Sequence, residues 1–150
     1  MSIDVLQTDR RNQHGFTLIE IMVVVVILGI LAALVAPNVI RKVDDAQIVK
    51  AKADIRTIDS SLKMFRLENF KYPTTDQGLQ ALVEKPADPS IKNWSEGGYL
   101  DKLLKDPWGY EYQYLYPGTQ GNEFDLFTLG ADGQPGGDGI NADIGNWNLE

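Results

Sequence analysis

Apolar and polar positions divide the chain into two unlike parts. Phe16 to Ala36 is an unbroken apolar run of 21 residues, FTLIEIMVVVVILGILAALVA, whose only charge is Glu20. As a helix rising about 1.5 Å per residue it is roughly 30 Å long, the thickness of a bilayer's hydrocarbon core. The run therefore predicts a membrane-spanning helix. A secretory signal peptide is the rival reading, and Arg10-Arg11 would suit its basic start. Signal peptides, however, have apolar regions of roughly 7–15 residues ending in a small-x-small site. Here Leu34-Val35-Ala36 is a poor site and Pro37 follows directly.

Past Pro37 the period becomes helical and amphipathic. Ile48, Ala51, Ile55, Ile58, Leu62 and Phe65 recur at alternating steps of three and four, with charged residues between them. This predicts a long helix running from the membrane into a globular domain and ending near Asn69. Gly29 and Pro37 are its weak points, since proline lacks an amide donor and crowds the preceding turn. The stripe reads as core packing, because it is too short for a coiled-coil seam. Tyr72-Pro73 breaks the helix. Thr74-Thr75-Asp76-Gln77 is a capping signal for a short helix from Gly78 to Glu84, closed by Pro86. Asp106-Pro107-Trp108-Gly109 reads as a turn. Tyr110, Tyr112, Tyr114 and Tyr116 then alternate with other residues, the period of a strand. A loop from Pro117 to Asn122 and a second strand from Phe124 to Leu129 come next. The fold class is α+β: a long N-terminal helix, half membrane-spanning and half amphipathic, packed on a small antiparallel sheet.

Composition removes several chemistries. With 150 residues there is room for one domain beside the apolar helix. There is no cysteine, so disulfides, thiolate metal sites and a cysteine nucleophile are excluded. The single histidine, His14, precedes the apolar run, which leaves the domain no histidine dyad and no ordinary zinc site. A net charge of −7 opposes nucleic-acid binding by bulk electrostatics. The tyrosine row has no basic residues beside it, so it reads as a strand packed on the helix rather than a base-stacking platform. Asp44 and Asp45 are neighbours on a helix and face different directions, so they form no catalytic acid pair. The charge is also uneven: residues 106–150 hold eight acids and no base, while the other 105 residues hold 14 bases and 13 acids. Charge counting alone, with Arg10 and Arg11 on one side and Arg41, Lys42, Lys50, Lys52 and Arg56 on the other, would put the C-terminal domain in the cytoplasm or give no answer.

Two features retain two readings each. Glu20 either reaches the interface from five positions inside the run or meets a cation within an assembly, since an unpaired carboxylate in lipid costs a few kcal/mol. Gly130 to Gly145, GADGQPGGDGINADIG, has six glycines in sixteen positions and the aspartates Asp132, Asp138 and Asp143. It is either a solvated acidic loop or a calcium loop, since calcium accepts carboxylate, amide and backbone oxygens in flexible geometry. It is not an EF-hand: Gln134 and Gly136 occupy ligand positions, and the flanks read as strands.

Gly15-Phe16-Thr17-Leu18-Ile19-Glu20, placed directly before the apolar run, resembles the processing signal of type IV pilin-like proteins. The resemblance implies a leader, residues 1–15, cut by a prepilin peptidase between Gly15 and Phe16, with N-methylation of Phe16. It also implies that Glu20 pairs with the Phe16 amine of a neighbouring subunit during assembly. The series YPTTDQGLQAL, EGGYL, DPWGYEYQY and FTLGADGQPGGDG…ADIGNW is similar to the major pseudopilins of the bacterial type II secretion system, over nearly the whole chain. The lack of a C-terminal disulfide favours these over type IV pilus major or minor pilins. This resemblance implies a type IV pilin-like fold: residues 16–36 as transmembrane and filament-core helix, and residues 37–150 as a periplasmic domain with a calcium loop at 129–145. It implies calcium bound by the carbonyls of Leu129 and Gln134 and the carboxylate of Asp132, with Asp138, Asn141 and Asp143 as further ligands. The implied protein is a structural subunit rather than an enzyme. It would be anchored in the inner membrane and polymerise with itself into a pseudopilus that supports export of folded proteins across the outer membrane. Its implied partners are minor pseudopilins, the prepilin peptidase and the inner-membrane assembly platform. A membrane-anchored calcium-dependent enzyme, adhesin or other binding protein is the alternative.

Overall fold

The computed structural model describes residues 15–150, apart from the side chains of residues 36–38 and 40. The expected leader, Gly15 excepted, lies outside the described residues. The chain forms two compact units, one ending at Ile40 and one comprising Arg41–Glu150. A single helix assignment, α1 (Leu18–Asn69), contributes to both and continues through Pro37.

In the first unit, Thr17 caps α1. Its hydroxyl accepts the Glu20 amide at 3.3 Å, and the Glu20 carboxylate accepts the Thr17 amide at 3.4 Å. These reciprocal bonds form a capping box. Leu18–Val35 is long and apolar enough to cross a membrane, and none of it is buried.

In the second unit, the apolar stripe of α1 is the core. Ala51, Ile55, Leu62 and Phe65 are fully buried, and Ile58 nearly so. They pack with Tyr72, Leu82, Ile91, Tyr112, Tyr114, Phe124, Leu126 and Ile144. The helix stops where expected. Asn69 turns its side-chain amide back onto the Phe65 carbonyl at 3.1 Å, and Phe70 adopts a left-handed φ of 61°. Tyr99 closes this end by donating to Glu68 at 2.6 Å and accepting from Asn69 at 3.0 Å.

The predicted helix from Gly78 to Glu84 is not formed as such. Its capping box exists: the Thr74 hydroxyl accepts the Gln77 amide at 3.2 Å and the Gln77 side chain accepts the Thr74 amide at 2.9 Å. Beyond the box the chain makes a turn and a 3-10 helix, Leu79–Leu82. Gly78 leaves the helical region with φ of 57°, and the Ala81 amide bonds back three residues to the Gly78 carbonyl at 3.4 Å, a 3-10 step. The surrounding loop then satisfies the carbonyls at the end of this turn. Trp94 Nε1 donates to the Ala81 carbonyl at 2.9 Å, and the amides of Tyr99 and Leu100 donate to the Leu82 carbonyl at 2.7 and 3.1 Å.

The sheet is antiparallel, in the order β1 (Gln113–Leu115), β2 (Asp125–Thr128), β3 (Ile144–Gly145). Tyr114 pairs with Leu126, and Thr128 with Ile144. The tyrosine row is only partly strand, because both its ends bond elsewhere. The Tyr110 carbonyl accepts the Asp106 amide at 2.8 Å, within the turn 106–109. Tyr116 exchanges bonds with the Thr75 hydroxyl, at 2.9 and 3.0 Å. The middle pair does pack on the helix side: Tyr112 donates to Asp54 at 3.0 Å, and Tyr114 to the Pro73 carbonyl at 2.8 Å. Burial raises both phenols well above their ordinary pKa. Strand β3 lies within the stretch expected to be loop. The chain end is tied to α1 by Arg56, which donates to the Leu149 carbonyl at 2.8 Å, and by Lys52, which donates to the Glu150 carbonyl at 2.8 Å.

Candidate functional sites: the acidic loop and the membrane segment

β2 enters the acidic loop and β3 leaves it. Because they pair, the loop's two ends are fixed side by side. Between them the backbone folds on itself. The Ala131 amide donates to the Ile140 carbonyl at 2.9 Å. Gly130 has φ of 72°, and a Cβ there would stand 2.7 Å from the Asn141 carbonyl carbon and 2.8 Å from the Ile140 oxygen. At Gly137, φ is 84° and a Cβ would stand 2.5 Å from the Asn141 oxygen. Only glycine combines this φ with so close an approach.

The expected ligands are distributed accordingly. Asn141 lies against Gly130 and Gly137, and closes a 3-10 helix, Gly139–Asn141, that the sequence did not predict. Asp143 reaches back to the first limb, where its Oδ2 accepts the Gly136 amide at 3.0 Å. Its Oδ1 is buried without a hydrogen-bond partner. Asp132 Oδ1 accepts the Gln134 amide at 3.1 Å, so these two share one tight turn. Leu129, next to the last residue of β2, is half-buried at the root of this limb. Asp138 is exposed and makes no side-chain cap to the short helix it precedes.

No three Asp, Glu or His side chains gather around one point among the described residues. A cation here would draw on carbonyls and the Asn141 amide as much as on carboxylates. Such a donor set suits calcium and excludes zinc. The buried, unpartnered Asp143 oxygen and the glycines that admit close backbone approach are consistent with a cation between the limbs.

At the other end of the chain, Gly15 is exposed, and a Cβ there would meet nothing within 4 Å. Phe16 is 78% exposed, open to an enzyme or a neighbour. Glu20 sits in the first turn of α1. Its bond to the Thr17 amide gives it a donor in its own chain. The sequence reading missed Thr17, although Thr17-x-x-Glu20 is itself a capping-box signature. A third surface feature, an open groove of about 530 Å³ by Lys63, Arg66, Leu67, Phe70, Tyr72 and Glu123, holds an Arg66–Glu123 ion pair at 2.5 Å.

A helix with an exposed apolar first half and an amphipathic second half, packed on a small antiparallel sheet, defines a type IV pilin-like protein. The model of the type II secretion system protein G family matches residues 38–147, and that of the prokaryotic N-terminal methylation motif matches residues 10–36. The type II secretion system core protein G of Pseudomonas aeruginosa is 62% identical over 139 residues, covering 92% of this chain and 97% of that one. That of Vibrio cholerae is 58% identical, covering 93% and 95%. The crystal structure of the major pseudopilin from the type 2 secretion system of enterohaemorrhagic Escherichia coli superposes with a TM-score of 0.64 at 44% identity, covering 74% of this chain and 95% of that one. The chain belongs to the type II secretion system protein G family, the major pseudopilins.

Proposed function

We propose that this protein is the structural subunit of a type II secretion pseudopilus. It polymerises through its apolar helix and supports export of folded proteins across the outer membrane. The observation that carries this reading is the apolar half of α1, exposed along its length, in a chain whose family and solved neighbour are pseudopilins. An apolar surface of that length needs lipid before assembly and other helices after it. The subunit performs no chemistry of its own. It sits in the inner membrane by one span, with residues 37–150 in the periplasm. A prepilin peptidase cuts between Gly15 and Phe16, and Phe16 is methylated. Other copies, minor pseudopilins and the inner-membrane assembly platform are its partners.

Glu20 tests this reading. Glu20→Val is expected to insert into the membrane at least as well as the natural chain, because a carboxylate leaves the apolar phase. Pseudopilus formation, followed by shearing and immunoblotting, is expected to fail, because the incoming Phe16 amine has lost its counter-charge. Filaments at the natural level would mean that Glu20 serves only to cap its own helix.

The acidic loop is proposed to bind calcium. Leu129 and Gln134 would contribute carbonyls and Asp132 a carboxylate, with Asn141 and Asp143 from the returning limb. Asp138 is a further ligand if the loop closes on it. Bound there, calcium would neutralise the loop's acids and hold its glycines in place.

A further inference from the structure

Resting on the calcium reading, we infer that Tyr110 and Asp106, both outside the acidic loop, are positioning residues that set the spacing of its first-limb ligands. The buried Asp106 carboxylate sits at the hub. One oxygen accepts the amides of Trp108 at 3.0 Å and Tyr110 at 2.8 Å. The other accepts the Thr128 hydroxyl, and the Thr128 oxygen in turn accepts the Gly130 amide at 3.3 Å. Asp106 and Thr128 are 5% and 1% exposed, so this relay is sealed from water. It fixes the root of the limb on both sides of Leu129.

The same turn holds the limb's tip. Asp106 fixes the Tyr110 backbone through both the amide and the carbonyl, the latter accepting the Asp106 amide at 2.8 Å. The Tyr110 ring then lies against Gly133, where φ is 64°. A Cβ on Gly133 would stand 3.1 Å from Cζ and 3.4 and 3.5 Å from Cε1 and Cε2 of that ring. Gly133 is flanked by Asp132 and Gln134, two of the proposed ligands. A ring seated there restricts the one residue whose rotation would separate them. The segment Asp106–Tyr110 thus grips both ends of the limb, so a glycine-rich loop meets a cation with much of its ordering already done. Tyr110 as a residue is 48% exposed, which is unusual for an aromatic residue with only a core-filling role.

The test uses the full-length chain in detergent micelles. Calcium affinity is measured by titration calorimetry, and melting temperature with calcium and with chelator, for the natural chain, Tyr110→Ala and Tyr110→Phe. Tyr110→Ala is expected to weaken calcium binding about tenfold, the lower end of the effect of outer-sphere partners. Its melting temperature in chelator should stay close to that of the natural chain. Tyr110→Phe, which keeps the ring face, should bind as the natural chain does. Unchanged affinity in Tyr110→Ala, or an equal loss of melting temperature with and without calcium, would overturn the inference. So would a loss in Tyr110→Phe as large as that in Tyr110→Ala. If the natural chain itself takes up no calcium, the calcium reading falls and this inference with it. That result appears before any substitution is made, so the two failures are distinguishable. Asp106→Asn, which keeps the shape but weakens the hub's acceptors, should reduce calcium affinity as well. Natural affinity in that variant would remove Asp106 from the positioning set.

Discussion

Individual residues reveal where the backbone was forced and where it was merely permitted. Phe70 ends α1 in the left-handed region, usually filled by glycine at a helix C-terminus. The residue is 85% exposed, so little packing offsets the strain. Phe70→Gly is therefore expected to stabilise the domain by about 1 kcal/mol, seen as a rise in melting temperature, while Phe70→Ala, which keeps a Cβ, should not. No sequence signal announced this position, since Glu68-Asn69-Phe70 lacks the glycine that normally marks such an end. Asn69 replaces that signal with its side-chain bond to the Phe65 carbonyl. Glu20 was legible as an anomaly because a carboxylate interrupts an otherwise apolar run. Its bond to the Thr17 amide depends on the first turn being formed. Asp143 was legible as a candidate calcium ligand but not by its contacts. Its buried, unpartnered oxygen arises because β3 directs it back toward Gly136.

At the scale of elements, the helix was readable and the sheet only in part. The three-four stripe from Ile48 to Phe65 is the buried face of α1, because on a long helix the apolar pattern and the packing face coincide. The tyrosine row showed a strand's period, yet Thr75 and the turn 106–109 claim its ends. The loop between β1 and β2 depends on a buried acid. Asp125 Oδ2 accepts the amide and hydroxyl of Thr119 at 2.7 and 2.6 Å, and Oδ1 accepts the Gln120 amide at 3.2 Å. Burial works against its ionisation, but these donors outweigh it and hold the carboxyl below its ordinary value. A depressed folded pKa contributes stability that is present above the unfolded value of about 3.9 and lost as pH falls through the folded one. Asp125→Asn should therefore destabilise the domain by about 1–3 kcal/mol at neutral pH. Its deficit relative to the natural chain should shrink as pH falls below about 4. Thermal melts from pH 7 to pH 2 would show the two curves converging, and a constant gap would remove Asp125 as a source of acid sensitivity.

For the whole molecule, charge and metal are linked. All eight acids beyond residue 105 lie without a base in that stretch, and three belong to the acidic loop. The proposed calcium would relieve this repulsion and order the loop between β2 and β3. Chelation is expected to lower the melting temperature, and calcium at 100 times its dissociation constant to stabilise the fold by about 2.7 kcal/mol. Magnesium should substitute poorly, because it requires a tighter octahedron than carbonyls in a glycine loop supply. Asp132→Ala should abolish the calcium-dependent part of the shift. Identical melting in calcium and chelator would leave the loop as a solvated acidic surface.

The sequence by itself determined the features that depend on near neighbours along the chain. These are the apolar span, the amphipathic continuation of α1 and the turn chemistry of residues 106–109. Each arises from periodicity or composition within a short window, where burial and backbone preference agree, whereas the Gly15–Glu20 signal was legible only as a family resemblance. Only the tertiary structure decided what depends on residues far apart. It reduced the helix predicted from Gly78 to a 3-10 turn, with Gly78 at a positive φ and the last carbonyls of the turn held by Trp94, Tyr99 and Leu100 from the following loop. It created β3, because a two-residue strand has no signal of its own and exists only beside β2. It also joined Asp106 to Thr128 and set Tyr110 against Gly133, contacts across some twenty residues that only the closed fold brings together.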